Sequence, residues 1–164
     1  MPTLTQELYA KLDQTVATLM TRYKPYLQCT KGCSKCCETG AYFQIRYAEW
    51  LEIQDALEQL PDSTKTIIHK NIDEEESSTC PLLVDNACSV YAARPALCRA
   101  YGLMLHTEGT TATCDLNFND IPTDTPLETL DIDPLYALLD EISAHLSPNR
   151  DPQSIRDWLQ KTRY

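Results

Sequence analysis

The sequence predicts a small single α+β domain, mostly helical with short hairpins. Apolar residues recur at helical spacing in five segments, two β-prone stretches fold back across polar turns, and eight cysteines crowd into residues 29–114. At 164 residues one domain can bury roughly 70% of its unfolded surface, enough for a conventional core. With 43% apolar and 23% charged residues, the composition is that of an ordinary globular protein.

Thr3 and Gln6 stand as a capping box ahead of Leu4, Leu8, Leu12, Val16 and Leu19, which predicts an amphipathic helix over about 3–23. Pro25 closes it, and the first cysteines fall in a loop marked by Gly32 and Gly40. AYFQIRY, residues 41–47, is β-prone and predicts a short strand. It leads into a helix whose stripe of Trp50, Ile53, Ala56, Leu57 and Leu60 stops at Pro61. A third helix, 63–73, carries Ile67, Ile68 and Ile72 and runs into the acidic DEEESS at 73–78, a solvated loop and the best linker candidate.

Leu82-Leu83-Val84 and Ala87-Cys88-Ser89-Val90-Tyr91 predict a hairpin across Asp85-Asn86, with Cys80 and Cys88 flanking its arms. Arg94-Pro95 starts a short helix that carries Cys98 one turn later. LMLHT and TTATC bracket Glu108-Gly109 as a second hairpin, which returns Cys114 towards Gly102 and the Cys98 helix. The acidic stretch 115–133 reads as a surface loop. Helices at about 134–146, with Leu135, Leu138, Leu139 and Ile142, and at about 152–162, with Ile155, Trp158 and Leu159, complete the fold. The domain 1–164 is thus expected to be a cysteine core, 29–114, on which an N-terminal helix (1–28) and C-terminal helices (132–164) pack.

The net charge of -10 sets 14 Lys and Arg against 24 Asp and Glu, so the surface repels phosphate backbones and no nucleic-acid partner is expected. MPTLTQELYAKLDQTV lacks the apolar stretch of a secretory signal, and no run is long enough to cross a membrane. A cytoplasmic location follows, with no membrane partner; a protein partner stays unknown. In a reducing compartment, thiols this dense point to metal ligands instead of disulfides.

Cys29-x₃-Cys33 and Cys33-x₂-Cys36 are overlapping chelate spacings of the kind one loop uses to supply two ligands to zinc. All eight thiols, Cys29, Cys33, Cys36, Cys37, Cys80, Cys88, Cys98 and Cys114, are candidate ligands to zinc or iron, an iron–sulfur cluster included. The spacing follows neither the bacterial nor the plant ferredoxin run. Adjacent side chains in extended backbone point apart, so Cys36 and Cys37 are expected to serve different metals, or different irons of one cluster. Ligands from 80–114 then complete what the first loop begins.

Cys98 can instead be a small buried hydrophobe. His106 can replace a thiol or be an ordinary hairpin histidine, whereas His69 and His145 have no spacing partner. Arg94 and Arg99 flank Cys98, placed either to donate to thiolate sulfur or to make surface ion pairs. No nucleotide-binding, metalloprotease or hydrolase motif occurs.

CTKGCSKCC at 29–37, followed by CPLLVDNACSVYAARPALCRAYG at 80–102, resembles the YkgJ-type cysteine-cluster family, described as a zinc- or iron-chelating CxxCxxCC domain. The resemblance spans about 29–114. Of the family's Cys-x-x-Cys-x-x-Cys-Cys core, Cys-Pro-hydrophobic hairpin and Tyr-x-x-Arg-Pro-x-x-Cys-Arg segment, the matches here are Cys33, Cys36 and Cys37, then Cys80-Pro81-Leu82, then Tyr91, Arg94-Pro95 and Cys98-Arg99. The spacing from Cys29 is one residue longer than the family's, which sets Cys29 apart. The family also resembles the cysteine-rich part of flagellin lysine N-methylases, implying a link to methyl transfer, although no methyl-donor site is recognisable here.

Three functions compete at this level. The first is a cytoplasmic metal-binding protein without an evident catalytic site. The others are an iron–sulfur redox or methyl-transfer enzyme and a thiol–disulfide protein with exposed low-pKa cysteines.

Overall fold

A computed structural model describes residues 1–29, 33–74 and 76–162. It is α+β, with the strands confined to small sheets. Gly32 lies outside the described residues.

Helix α1 (Leu4–Arg22) begins on the expected capping box: the Gln6 amide donates to the Thr3 hydroxyl over 3.1 Å, and the Thr3 amide donates to the Gln6 side chain over 3.2 Å. Its buried face is rotated from the leucine stripe. Tyr9, Leu12, Val16 and Leu19 go inside, while Leu4 is exposed. A 3-10 turn at Lys24–Tyr26 holds Pro25.

Two expectations fail around the first cysteines. Lys35–Glu38 is a one-turn helix, α2, where a loop was expected. The expected strand over 41–47 shrinks to β1 (Gln44–Ile45), between a 3-10 turn at Gly40–Tyr42 and helix α3 (Tyr47–Glu58). The Arg46 amide donates to the Glu49 carboxylate over 2.9 Å, so the helix starts before the β-prone run can finish. Ile45 stays fully buried and β1 pairs antiparallel with β7 (Gln153–Ser154).

Helix α4 (Asp62–Asp73) buries Ile68 and leaves Ile67 exposed. The first hairpin forms as expected from β2 (Leu83–Val84) and β3 (Ala87–Cys88), with Asp85 and Asn86 both at positive φ. Short helix α5 (Ala96–Ala100) follows Pro95 and carries Cys98. The second hairpin pairs β4 (Leu105–Thr107) with β5 (Thr110–Ala112) across Glu108-Gly109.

The stretch 115–133 is more than a surface loop. Phe118 is buried and its amide donates to the Tyr26 carbonyl over 2.8 Å, and β6 (Leu130–Asp131) adds to β4 in parallel. Helices α6 (Asp133–Leu146) and α7 (Ile155–Thr162) close the chain. On α6 the buried side chains are Tyr136, Leu139 and Ser143, and Leu138 of the expected stripe faces out.

Two apolar clusters result. One gathers Tyr9, Leu12, Leu19, Ala96, Leu103 and Leu139 from α1, α5 and α6. The other gathers Trp50, Ile53, Leu82, Val90, Ile155 and Trp158, with the two indole rings stacked 5.7 Å apart. Cys80 belongs to the second cluster, and Cys37 and Cys88 pack against it.

Candidate metal centre

One cavity of about 640 Å³ has all eight cysteines in its wall. Met20 reaches it from the first apolar cluster, and Leu82, Val90 and Ile155 from the second. All eight are free thiols.

Helix α2 presents Cys36 and Cys37 to the cavity together. Successive residues on a helix diverge less than on a strand, and here the two sulfurs are 3.9 Å apart. An edge of a tetrahedral zinc–thiolate site is about 3.8 Å long for Zn–S near 2.3 Å. The pair therefore has the spacing of two corners of one site, because the backbone here is helical and not the extended one in which adjacent side chains point apart.

Backbone hydrogen bonds bring the second group of cysteines to the first. The Cys37 amide donates to the Ser34 carbonyl, and the Cys80 amide donates to the Cys37 carbonyl, both over 2.7 Å. The Leu83 amide then donates to the Cys80 carbonyl over 3.0 Å, starting the hairpin that carries Cys88 opposite Leu83. Cys98 comes from α5, whose first free amide, at Ala96, donates to the Glu49 carboxylate over 2.8 Å. Glu49 thereby caps α3 and ties α5 to it. Cys98 is enclosed by protein yet keeps part of its surface open to the cavity wall.

Cys29 and Cys114 meet through Asn117. Its backbone amide donates to the Cys114 carbonyl over 3.0 Å, and its side-chain amide donates to the Cys29 sulfur over 3.3 Å and to the Gly102 carbonyl over 2.7 Å. Gly102 has φ +100, and a Cβ there would stand 2.7 Å from the Cys29 sulfur. Gly40 similarly backs onto Cys80, where a Cβ would come within 3.1 Å of the Cys80 Cβ.

The thiols influence one another. The hydrogen bond from Cys37 holds Cys36 below the usual thiol range at about 7, against burial and with help from the Arg94 charge; the same bond, with burial, pushes Cys37 up. Burial raises Cys80 to about 12 and also pushes up Cys88, Cys98 and Cys114. Beyond burial, Cys80 and Cys98 respond to Cys36 and Cys88, and Cys114 to Cys29. A dication facing these sulfurs favours their thiolates, so metal binding releases protons.

The two arginines beside Cys98 differ. Arg94 lies in the cavity wall, stacked 3.5 Å from the Tyr91 ring, where its charge acts on Cys36 and Cys88. Arg99 also borders the cavity, but its guanidinium is taken up by Asp13, at 2.7 Å, and by the carbonyls of Arg94 and Ala92. His106 is bonded to Thr111 over 3.0 Å and does not line the cavity.

No histidine or carboxylate lies among the residues lining the cavity, so thiols dominate the donor set, with Lys35, Arg94 and Arg99 to offset negative charge. That chemistry suits zinc or iron and disfavours magnesium or calcium. As placed, no three Cys, His, Asp or Glu side chains among the described residues converge on one point. The sulfurs line a wall.

Asn117, Gly102 and Glu49 were not foreseen as site residues. Asn117 sits in an acidic stretch that reads as surface, and Glu49 in a helix whose polar positions read as solvated. Only Gly102, just before a hairpin, carried a local signal.

The family model CxxCxxCC, described as "Putative zinc- or iron-chelating domain", matches residues 28–117. Comparison with curated proteins and with solved structures gave no match.

Proposed function

We propose that this chain, which belongs to the CxxCxxCC family, holds zinc or iron on its cysteine thiolates inside the 640 Å³ cavity. The observation that carries the reading is that eight thiols from five separate segments line one cavity with no histidine or carboxylate in its lining. Cys36 and Cys37 supply one chelating pair, with Cys80, Cys88 and Cys98 facing them and Cys29, Cys33 and Cys114 on the same wall. Bound there, zinc or iron would cross-link α2, the first hairpin and α5, and structural zinc contributes on the order of 10 kcal/mol to such units. Arg94 places its charge beside the thiolates, Glu49 holds α5 in place, and Leu82, Val90 and Ile155 shield the part of the cavity they line.

The reading assigns metal binding and no reaction. It belongs in a reducing cytoplasm, where thiols stay free for metal. The charge of -10 speaks against a nucleic-acid partner, and no helix among the described residues is long and apolar enough to cross a membrane.

Anaerobic titration with cobalt(II) tests the proposal. Sulfur-to-cobalt charge-transfer bands are expected to grow to a sharp endpoint and to weaken in Cys37→Ser and Cys88→Ser. Absence of such bands in the wild-type protein overturns the reading. An iron-loaded preparation with visible bands that bleach on reduction identifies a cluster; loss of those bands in the same variants places it on these thiols.

A further inference from the structure

We infer that the eight thiols form two metal positions of unequal exposure, an inner one with Cys36, Cys37, Cys80, Cys88 and Cys98 and an outer one with Cys29, Cys33 and Cys114. The inference rests on the metal-binding reading above and deepens it. The boundary does not follow the order of the cysteines in the chain.

The inner position is knit by α2 and the first hairpin. Cys36 and Cys37 have sulfurs 3.9 Å apart, the Cys80 amide is bonded to the Cys37 carbonyl over 2.7 Å, and Cys88 pairs with Leu83, whose amide is bonded to the Cys80 carbonyl over 3.0 Å. None of these five cysteines is exposed. Their apolar neighbours Leu82, Val90 and Ile155 are almost wholly buried.

The outer position has a different scaffold. Asn117 joins Cys29 to Cys114, through 3.3 Å to the Cys29 sulfur and 3.0 Å to the Cys114 carbonyl. The Gly102 carbonyl accepts from both the Asn117 side chain, at 2.7 Å, and the Thr113 hydroxyl, at 3.2 Å, which fixes the segment before Cys114. Cys29 and Cys33 are both exposed, and Cys114, held to Cys29 through Asn117, is buried.

Five enclosed thiols can close the coordination of an ion. Three thiols, two of them exposed at the mouth, leave the fourth corner of a tetrahedral ion to a ligand from solution, the arrangement of an exchangeable site. The inner metal is therefore retained and the outer one exchanges. Asn117 acts as a positioning residue for the outer site, since its N–H bond to the Cys29 sulfur orients that ligand and withdraws charge from it.

Zinc-loaded, anaerobic protein mixed with the chromophoric chelator 4-(2-pyridylazo)resorcinol tests this. Zinc is expected to leave in two phases with rates at least about tenfold apart. Cys29→Ser and Cys114→Ser should remove the fast phase and keep the slow one. Asn117→Ala should accelerate only the fast phase, roughly 10–100-fold, the usual effect of losing a residue that orients a metal ligand. Release from the wild-type protein in one phase overturns the division, as does loss of both phases together in Cys29→Ser with an unchanged far-ultraviolet circular dichroism spectrum. Protein that takes up no zinc or iron at all overturns the underlying metal reading as well, which separates the two failures.

Discussion

The sulfurs of Cys36 and Cys37 are 3.9 Å apart, side by side on one helical turn. A vicinal pair at this separation spans an edge of a tetrahedral site without rearranging the backbone. Replacing either by serine should remove the chelate and lower zinc affinity by at least about tenfold. In the double variant the loss should be less than the sum of the two single losses, because the residues act as one unit. Competition with a chelator of known affinity measures it; additive losses mean that the two sulfurs serve separate sites.

Gly102 and Gly109 both have positive φ, at +100 and +74, but only the first backs onto a cysteine. Gly102→Ala adds the left-handed strain and drives a methyl group into the Cys29 sulfur, so a loss of about 2–4 kcal/mol is expected. Gly109→Ala has open space and should lose about 1 kcal/mol through strain alone. Urea unfolding of the two variants compares them. Equal losses contradict the contact with Cys29.

Arg94 and Arg99 separate a charge role from a structural one. Arg99 is buried with three partners and lies 4.0 Å from the centre of the Tyr9 ring, so Arg99→Ala should destabilise by about 3 kcal/mol. Arg94→Ala removes a stack on an exposed tyrosine and should change stability by about 1 kcal/mol or less, while weakening metal binding by about tenfold. Metal affinity unchanged in Arg94→Ala removes its assigned role.

The α1 cap and both hairpins were legible because each depends on residues within a few positions of one another: Thr3 with Gln6, Asp85 with Asn86, Glu108 with Gly109. The eight thiols were legible as ligand types, and the expectation that 80–114 joins the first cysteines agrees with their shared cavity. What could not be read was orientation. Cys36 and Cys37 lie together because α2 is held from outside, by the bond from the Cys80 amide to the Cys37 carbonyl. Asn117 reaches Cys29 across 88 positions, and no local pattern encodes that contact. The short strand expected at 41–47 is cut to Gln44–Ile45 for a related reason, since Glu49 caps α3 at Arg46.

Glu49 should give stability a recognisable dependence on pH. Burial raises its carboxyl above the ordinary range, more than the bonds from the Arg46 and Ala96 amides and Tyr9 lower it. The folded chain thus keeps a proton that the unfolded chain releases. This contribution is fully present below the unfolded carboxyl's pKa and is lost as pH rises through the folded one, at up to about 1.4 kcal/mol per pH unit. Glu49→Gln should lose that slope. Urea midpoints of wild type and variant measured across acid to neutral pH check it, and parallel curves contradict it.

Arg156 clasps the two ends of the acidic stretch 73–78, which is exposed at Asp73, Glu74, Glu76 and Ser78 as expected of a solvated loop. Its buried guanidinium donates to the carbonyls of Asn71, Ile72, Ser77 and Thr79 over 2.8–3.2 Å, just ahead of Cys80. Arg156→Ala leaves those carbonyls unpaired and should destabilise by about 3 kcal/mol, with weaker metal binding through Cys80. Arg156→Lys keeps the charge but cannot span four carbonyls, and should recover only part of the loss. Full recovery by lysine contradicts the clasp.

The metal content of wild-type protein purified without oxygen or chelators, measured by elemental analysis alongside titration of its thiols, tests the central claim most directly. The expected result is at least one equivalent of zinc or iron per chain, with fewer than eight thiols reactive until the metal is removed. Less than one equivalent of any transition metal, with all eight thiols reactive in the protein as purified, contradicts it.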